Sequence, residues 1–597
     1  MRLIAALLAL AAAAPAVSID ASRYQANVRH LASPEMRGRG TGSPEMEKAA
    51  RFLADQFRKA GIPPVPGASG YFQRFPVTTN ARLGSRNSLT AITPSGKTRL
   101  KPGQDFQPFN FSGGGRAAGE VVFAGYGITA PEYKYDDYAG LDVQGKIVLL
   151  LRHEPQEFDE QSVFAGKAYT RHAQLDSKAV NAKMHGARAV LFVNDTPNHT
   201  DADTLDRFRR NVGPGQPGLP FVQVTAAVAN SWLALANTSL DQWIKQVDGD
   251  LKPRSLPLSG LTVELQADVI RETRQVPNVV AYLPGESSEH LIIGAHYDHL
   301  GLGEQSSMSP NEAGKAVHPG ADDNASGTAG LIELAHYFKN LPNRKRGVLF
   351  IAFTAEEIGL LGSAHYASNP LLPLNQAVAM INMDMIGRIK NNRVFVGGTG
   401  TGSTLQATLD AVKPAHSLTL DLSDQGGYGS SDHMSFYVSR VPVLFFFSGI
   451  HNDYHRPSDT WDKIDHEAAA RLLAFIGDAG ARLVNGDPRP EYVRLADPRP
   501  QAEARASMGA GPWFGSVPDM AENAGGFRLA DVRDGSPAHK AGLKPGDIVF
   551  EFAGKPVGSL MEFTYVLRAH KPGDTVLVKW RRNGEEMQSE VTLATRP

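Results

Sequence analysis

The chain has 597 residues, too many for one hydrophobic core, and at roughly 100–200 residues per domain it predicts three or more domains. Its 61 Lys and Arg balance 62 Asp and Glu, and no basic stripe is interleaved with aromatics, which excludes a nucleic-acid or polyanion surface. It has no cysteine, so it can hold neither a disulfide nor a cysteine-anchored lipid.

Residues 1–18, MRLIAALLALAAAAPAVS, join one positive charge to a Leu/Ala core and end in the small residues Ala14-Pro15-Ala16 and Ala16-Val17-Ser18. That pattern predicts a secretory signal and export to a periplasm or the medium. The apolar core is shorter than the ~20 residues that span a bilayer, and no later segment reaches that length, so no membrane span is expected after signal removal.

Between Arg23 and Lys59 two helices are expected around a Gly-rich turn. The second, Pro44 to Ala60, is stopped by Gly61 with prolines just beyond. Gly113-Gly114-Gly115 marks a hinge, after which the composition turns to short strands: GEVVFAGYGI, GKIVLLLR and ARAVLFVND. From Val276, strands (NVVAYLPG, EHLIIGAHYDH, GVLFIAFTAEE, AVAMINMDMIG, VPVLFFFSG) alternate with helices such as GTAGLIELAHYFKN and HEAAARLLAFIGDAGARLV. The alternation predicts an α/β fold with a mainly parallel sheet sandwiched by helices, and ligands at the carboxyl ends of its strands. A Pro/Arg/Ala-rich linker, 488–507, leads to a last unit of short strands, 508–597.

The polar anomalies of the α/β region sit where expected strands stop. His296 and Asp298 follow LIIGA, Asp322 and Asp323 precede a helix in HPGADDNASG, and Glu356 and Glu357 follow FIAFTA. Asp384 interrupts MINMDMIG, and His455 lies in DYHRPSDT after VLFFFSG. A lone HxD or a DD pair belongs on a surface loop. Five such clusters at one rim of a sheet, with their charges in conflict, call for a cation. Imidazole and carboxylate without thiolate suit zinc in a catalytic site. The Asp298 carboxylate is placed to accept the second ring N–H of His296 and fix its tautomer. Glu356 and Glu357 are neighbours on an extended chain and point opposite ways, so they face different partners.

GAHYDHLG, GADDNASG, TAEEIGLLGS, INMDMIG and DYHRPSDTWD, with RHLASPEMRGRGTGSPE near the N-terminus, resemble the motifs of the di-zinc exopeptidases of metallopeptidase family 28 (clan MH). The resemblance implies a zinc aminopeptidase whose peptidase domain, 19–115 and 256–487, is split by an insert. It implies that His296 and Asp384 hold one zinc, Glu357 and His455 the other, and that Asp322 bridges them, with Asp323 its neighbour across a cis bond. Glu356 would carry a proton from the attacking water to the leaving amine, and Tyr454 is a candidate oxyanion donor. Asp432 and His433 of GSSDHMSF are expected to support the pocket. A Gly/Ser-rich loop, GLGEQSSMSPNEAGKAVHPG, departs from the family pattern and leaves pocket shape open.

The insert, 116–255, resembles the protease-associated (PA) domain, contains no catalytic constellation, and reads as a lid or spacer. The C-terminal unit, with WFGSVPD and DGSPAHKAGLKPGD, resembles a bacterial PDZ domain. Such a domain would take a C-terminal peptide ligand by strand addition, its carboxylate at the Phe514-Gly515-Ser516-Val517 turn. The expected substrates are peptides. The rival readings are a carboxypeptidase or dipeptidase, which needs Arg388 or Arg456 aimed at a substrate carboxylate, and an inactive receptor-like protein.

Overall fold

The computed structural model describes residues 18–195, 203–208, 217–486, 488–495, 511–519 and 525–595, so all but the last residue of the expected signal, and the linker beyond 495, lie outside the described residues. The chain divides into two compact units, Met1–Val77 with Gln275–Leu495, and Thr78–Arg274 with Ala496–Pro597. No helix among the described residues is long and apolar enough to cross a membrane.

The first unit is built on an eight-stranded mixed sheet. In chain order its strands are β1 (Phe72–Leu83), β2 (Val269–Leu283), β3 (His290–His296), β4 (Gly347–Phe353), β5 (Ala377–Met383), β6 (Arg393–Gly397), β7 (Thr419–Asp421) and β8 (Val443–Phe447), arranged β1-β2-β4-β3-β5-β8-β6-β7. The centre is parallel: β3 pairs with β4 and β5, and β5 with β8. β2 and β6 run antiparallel to their neighbours β4 and β8. Strands β3, β4 and β5 are buried along their whole length, as continuous apolar runs covered on both faces must be.

Helices α1 (Ala21–Leu31), α2 (Pro44–Lys59), α3 (Gly327–Asn340) and α4 (His466–Asn485) pack on this sheet. α2 starts at Ser43, whose side chain accepts the N–H of Met46, and has Pro44 in its first turn. Its buried residues Met46, Ala49, Ala50, Leu53, Ala54 and Phe57 recur at helical spacing and enter the core. α4 begins at Asp465, which accepts the N–H of Ala468.

At the start of β3, His290 is fully buried, and burial with the nearby Arg489 charge pushes its imidazole down to about 4. The unfolded chain therefore takes up this proton first as pH falls. The stability due to neutral His290 is present above the unfolded value near 6.5 and lost toward 4, about 2 kcal/mol by pH 5. Urea unfolding of the wild type and His290→Leu at pH 7 and pH 5 is expected to show that the variant loses less stability over the interval. Equal losses would assign the acid sensitivity elsewhere.

The second unit carries another eight-stranded sheet, made of Gly96–Leu100, Ser88–Thr93, Leu256–Ala267, Gly115–Phe123, Ile147–Leu151, Ala189–Val193, Phe221–Val224 and Phe106–Pro108 in that order. The expected insert boundaries of 116 and 255 are too narrow for this sheet. Leu256–Ala267 pairs with both Ser88–Thr93 and Gly115–Phe123, so strands on either side of the boundaries belong to the same ladder. The C-terminal sheet includes Ser516–Pro518, Phe527–Val532, Ile548–Phe552, Thr575–Arg582 and Glu585–Thr592. Its helix Leu560–Arg568 packs against Leu175–Met184 of the insert, where Lys183 Nζ meets Glu562 at 2.5 Å.

Candidate metal centre

The carboxyl ends of β3, β4 and β5 bring the site together. β3 ends on His296, the turn after β4 carries Glu356 and Glu357, and Asp384 follows β5. Ala355, Met385 and His455 take φ of 58°, 52° and 54°, left-handed values that non-glycine residues hold only where the surroundings impose them.

Asp323 occupies the centre. Its Oδ1 lies 3.4 Å from His296 Nε2 and its Oδ2 3.2 Å from His455 Nε2. On one side His296 Nε2 is also 3.3 Å from Asp384 Oδ1; on the other His455 Nε2 is 3.3 Å from Glu357 Oε2. These spacings match the ~3.4 Å edge of a tetrahedron with bonds of ~2.1 Å, the geometry zinc takes with nitrogen and oxygen donors. His296, Asp323 and Asp384 form one group of potential ligand atoms, and His299, Asp323 and Glu357 a second. The residues fit a pair of metal ions sharing one carboxylate.

The place between the two imidazoles is taken by Asp323 and not by Asp322, the residue that the resemblance implied would bridge. The Asp322 carboxylate is turned away: Oδ1 accepts the N–H of Gly387 at 2.7 Å, and Oδ2 faces His451 Nε2 at 3.1 Å. Both Asp322 and Asp323 donate their N–H groups to Asp459 Oδ2, at 2.9 and 3.2 Å, which fixes the loop. The cis bond joins Asp323 to Asn324 and not Asp322 to Asp323.

Both ring tautomers are set from behind. His455 Nδ1 donates to the carbonyl of Ser306 at 2.9 Å, so the Gly/Ser-rich loop supports a candidate ligand. His296 Nδ1 donates to the main-chain carbonyl of Asp298 at 3.1 Å, whereas the Asp298 carboxylate stands 3.9 Å away. The expected carboxylate contact is thus replaced by a carbonyl, because Asp298 has other partners: Oδ1 accepts the N–H of Glu356 at 3.2 Å and Oδ2 the hydroxyl of Thr41 at 2.7 Å. Asp298 positions the turn that carries Glu356. Asp384 accepts a hydrogen bond from Ser431 at 2.8 Å.

Electrostatics follow the geometry. Burial alone raises Asp323, but the imidazoles of His299, His296 and His455 outweigh it and hold the carboxylate well below its usual range. Burial lowers His455, yet Asp323 and Glu357 overturn that and raise it to about 10. A place that favours protons on imidazole this strongly favours a cation. Glu356 differs: burial, with Glu357 and Asp384 adding like charge against the pull of His296, pushes its carboxyl well up. Its Oε2 lies 3.9 Å from His296 Nε2, at the edge of the cluster. Tyr454 stacks on His455 at 3.8 Å, and burial and the same carboxylates raise its phenol.

Sequence reasoning passed over two further residues. His299, inside the HYDH run, places Nδ1 2.6 Å from Glu357 Oε1, and its buried Nε2 has no hydrogen-bond partner. Arg39, in the RGRG run, is fully buried and donates to the carbonyls of Tyr297 (2.8 Å), Leu31 (2.5 Å), Pro319 (2.8 Å) and Gly320 (2.9 Å). One guanidinium thereby ties the loop after β3 to the loop bearing Asp323. Asp432 is buried and pushed up to about 7, and His433 is pushed down to about 3 and stacks on Phe445 at 4.4 Å, so the two stand in the wall beside Ser431 and not among the ligand atoms.

An α/β sheet that gathers imidazoles and carboxylates around one shared aspartate is suited to hold metal ions. Residues 278–479 match the model of Peptidase family M28, 117–232 that of the PA domain and 514–593 that of the PDZ domain. Aminopeptidase YwaD of Bacillus subtilis (strain 168) is 25% identical over 407 residues, which cover 66% of this chain and 74% of that protein. A probable leucine aminopeptidase of Arthroderma otae is 32% identical over 221 residues, 34% of this chain and 56% of its own length. The solved aminopeptidase from Aneurinibacillus sp. strain AM-1 is 24% identical with a TM-score of 0.45, over 80% of this chain and 96% of that one. Over residues 278–479 the chain is similar to peptidase family M28, and it is a metallopeptidase that joins this region to ones matching a PA domain and a PDZ domain.

Proposed function

We propose that the chain is an exported zinc aminopeptidase with a co-catalytic pair of metal ions, His296 and Asp384 holding one, His455 and Glu357 the other, and Asp323 shared. The observation that carries this reading is the central placement of Asp323 between two imidazole–carboxylate pairs, with Glu356 beside them but outside both groups. Zinc held there would supply Lewis-acid polarisation of the scissile carbonyl and a water acidic enough to attack at neutral pH.

The chain's own groups do the rest. Glu356 takes a proton from the attacking water as the C–O bond forms and returns it to the amine as the C–N bond breaks. The Tyr454 hydroxyl, held over His455, donates to the oxyanion. A cavity of about 520 Å³ has Phe395, Phe445, Phe447, Tyr428 and His433 on its walls, with Arg393 and Asp421 among its charged lining, and reaches Ser430, next to the Ser431 that donates to Asp384. Its aromatic walls suit the apolar side chain of the residue being removed, in keeping with the leucine aminopeptidase relative.

The amino-terminal direction is favoured over a carboxypeptidase because Arg388 is already engaged by Asp453 Oδ2 at 3.2 Å, and Arg456 donates to Ser309 Oγ at 3.2 Å. The complete set of acidic and imidazole groups disfavours an inactive receptor. The secretory-signal pattern of residues 1–18 supports export to a periplasm or the medium, and the turn at 514–517 would take a C-terminal peptide carboxylate. The test is a set of short peptides with free or blocked termini, followed by mass spectrometry in the presence of zinc. Stepwise loss from free N-termini, abolished by N-acetylation and by a chelator, is expected. Cleavage that requires a free C-terminus would replace this reading with the carboxypeptidase.

A further inference from the structure

The PA-like sheet carries a second cluster of potential ligands, remote in sequence from the peptidase residues. His153, Glu157 and Asp195 each offer one ligand atom, all within 4.8 Å of one another. Ile147–Leu151 and Ala189–Val193 are parallel neighbours, with Leu151 opposite Val193, and His153 and Asp195 follow directly at their carboxyl ends. Those ends are where parallel sheets receive ligands. His153 and Gln156 take φ of 58° and 56°, which folds the loop back so that Glu157 reaches the same point.

The distances resemble those of the peptidase site. His153 Nδ1 lies 3.1 Å from both oxygens of Asp195 and 3.7 Å from Glu157 Oε2, values on either side of the ~3.4 Å ligand edge of a tetrahedral site. Asp195 is fully buried and Glu157 nearly so. Tyr169 stacks on His153 at 4.8 Å, with the rings 9° from parallel, and its hydroxyl donates to Glu157, so two of the three side chains are oriented by one neighbour.

A separate observation points to a ligand. The hydroxyl of Tyr126 is completely buried and has no hydrogen-bond partner, and the charges of Asp248, Asp195, Asp137 and Glu157 bear on it. A buried hydroxyl in this state has a cost that a bound cation or its water would relieve. The surrounding polar groups serve the loops. Lys178 donates to the carbonyls of Tyr126 and His153; Glu154 accepts the N–H of Thr170 at 2.8 Å; Asp248 accepts that of Gln156 at 2.7 Å; and Asp137 accepts from Ile128 N and Tyr135 Oη at 3.1 and 2.9 Å.

We propose that His153, Glu157 and Asp195 form a further metal site, for a divalent transition cation such as zinc, in the same buried charged region as the Tyr126 hydroxyl. Imidazole with two carboxylates and no thiolate selects zinc or manganese over calcium or magnesium, which prefer oxygen alone. The ion would tie the loops that leave two adjacent strands, a structural role distinct from peptide hydrolysis.

The test uses the full-length protein, stripped with chelator, reloaded with zinc, desalted and measured by elemental mass spectrometry. Asp195→Asn and His153→Gln are each expected to hold one zinc fewer per chain than the wild type, with peptide turnover at saturating zinc unchanged within about twofold. Equal zinc content in wild type and folded variants would overturn the site. Should both variants fail to fold, zinc-edge anomalous diffraction from wild-type crystals decides: a peak between His153 Nδ1 and the two carboxylates supports the proposal, and its absence at full loading of the peptidase site refutes it.

Discussion

Glu356→Gln is expected to retain its metal and lose turnover by roughly 10²–10⁴-fold, the range for removal of a positioned general base. The amide keeps the shape of the side chain and cannot take a proton from water. Because Glu356 stands outside both ligand groups, metal content should stay at the wild-type level. Glu357→Gln is the paired control. Its Oε2 lies 3.3 Å from His455 Nε2 and its Oε1 2.6 Å from His299 Nδ1, so the substitution should release metal from that side as well as abolish activity. Elemental analysis beside kcat on one peptide amide separates the two. Equal metal loss would show that the adjacent glutamates do not divide the work.

Asp323→Asn is expected to be the most damaging single change at the proposed centre, because one carboxylate faces both imidazoles. An amide offers one weak oxygen donor where a carboxylate offered two, so both metals should be lost and turnover should fall by more than ~10⁴-fold, beyond the effect of losing a single proton carrier. Asp322→Asn provides the contrast. The Asp322 carboxylate accepts from Gly387 N–H and faces His451, and it is in neither of the two groups of potential ligand atoms around Asp323. Its loss should weaken metal binding by about 10–100-fold, as the removal of an outer partner does, and leave both sites filled at saturating zinc. Equilibrium dialysis of the two variants against zinc measures the difference. Retention of both metals by Asp323→Asn with their loss from Asp322→Asn would restore the bridge to Asp322.

The central strands were legible because each is a continuous apolar run ended by a polar residue, and the strands beginning at His290, Gly347 and Ala377 lie within the segments that pattern marks out. β6 and β7 were missed: they are short, and Arg393 and Thr419 give no such pattern. Adjacent aspartates could not be told apart by spacing, since which of two neighbours faces the imidazoles depends on the loop. Here the contacts of Asp459 and Gly387 decide it. The RGRG run hid Arg39, since nothing local marks a buried guanidinium whose partners are carbonyls distant in sequence. The His153 cluster was illegible for a related reason. His153 and Glu157 lie 42 and 38 residues from Asp195, and only the pairing of their strands brings them together.

The PA-like sheet shows the same limit at the level of domains. A glycine run at 113–115 looks like a boundary, yet Gly115 already pairs with Ala267, and the ladder continues from Leu256–Ala267 to Ser88–Thr93. Chain hinges and domain edges need not coincide when a sheet recruits strands from both sides of an insertion.

The most direct test of the proposed catalytic centre is anomalous diffraction at the zinc absorption edge from crystals of the full chain grown with zinc. Two peaks flanking Asp323, one against His296 and Asp384 and one against His455 and Glu357, are the predicted result. A single peak in the peptidase domain, or density centred on Asp322, would contradict it.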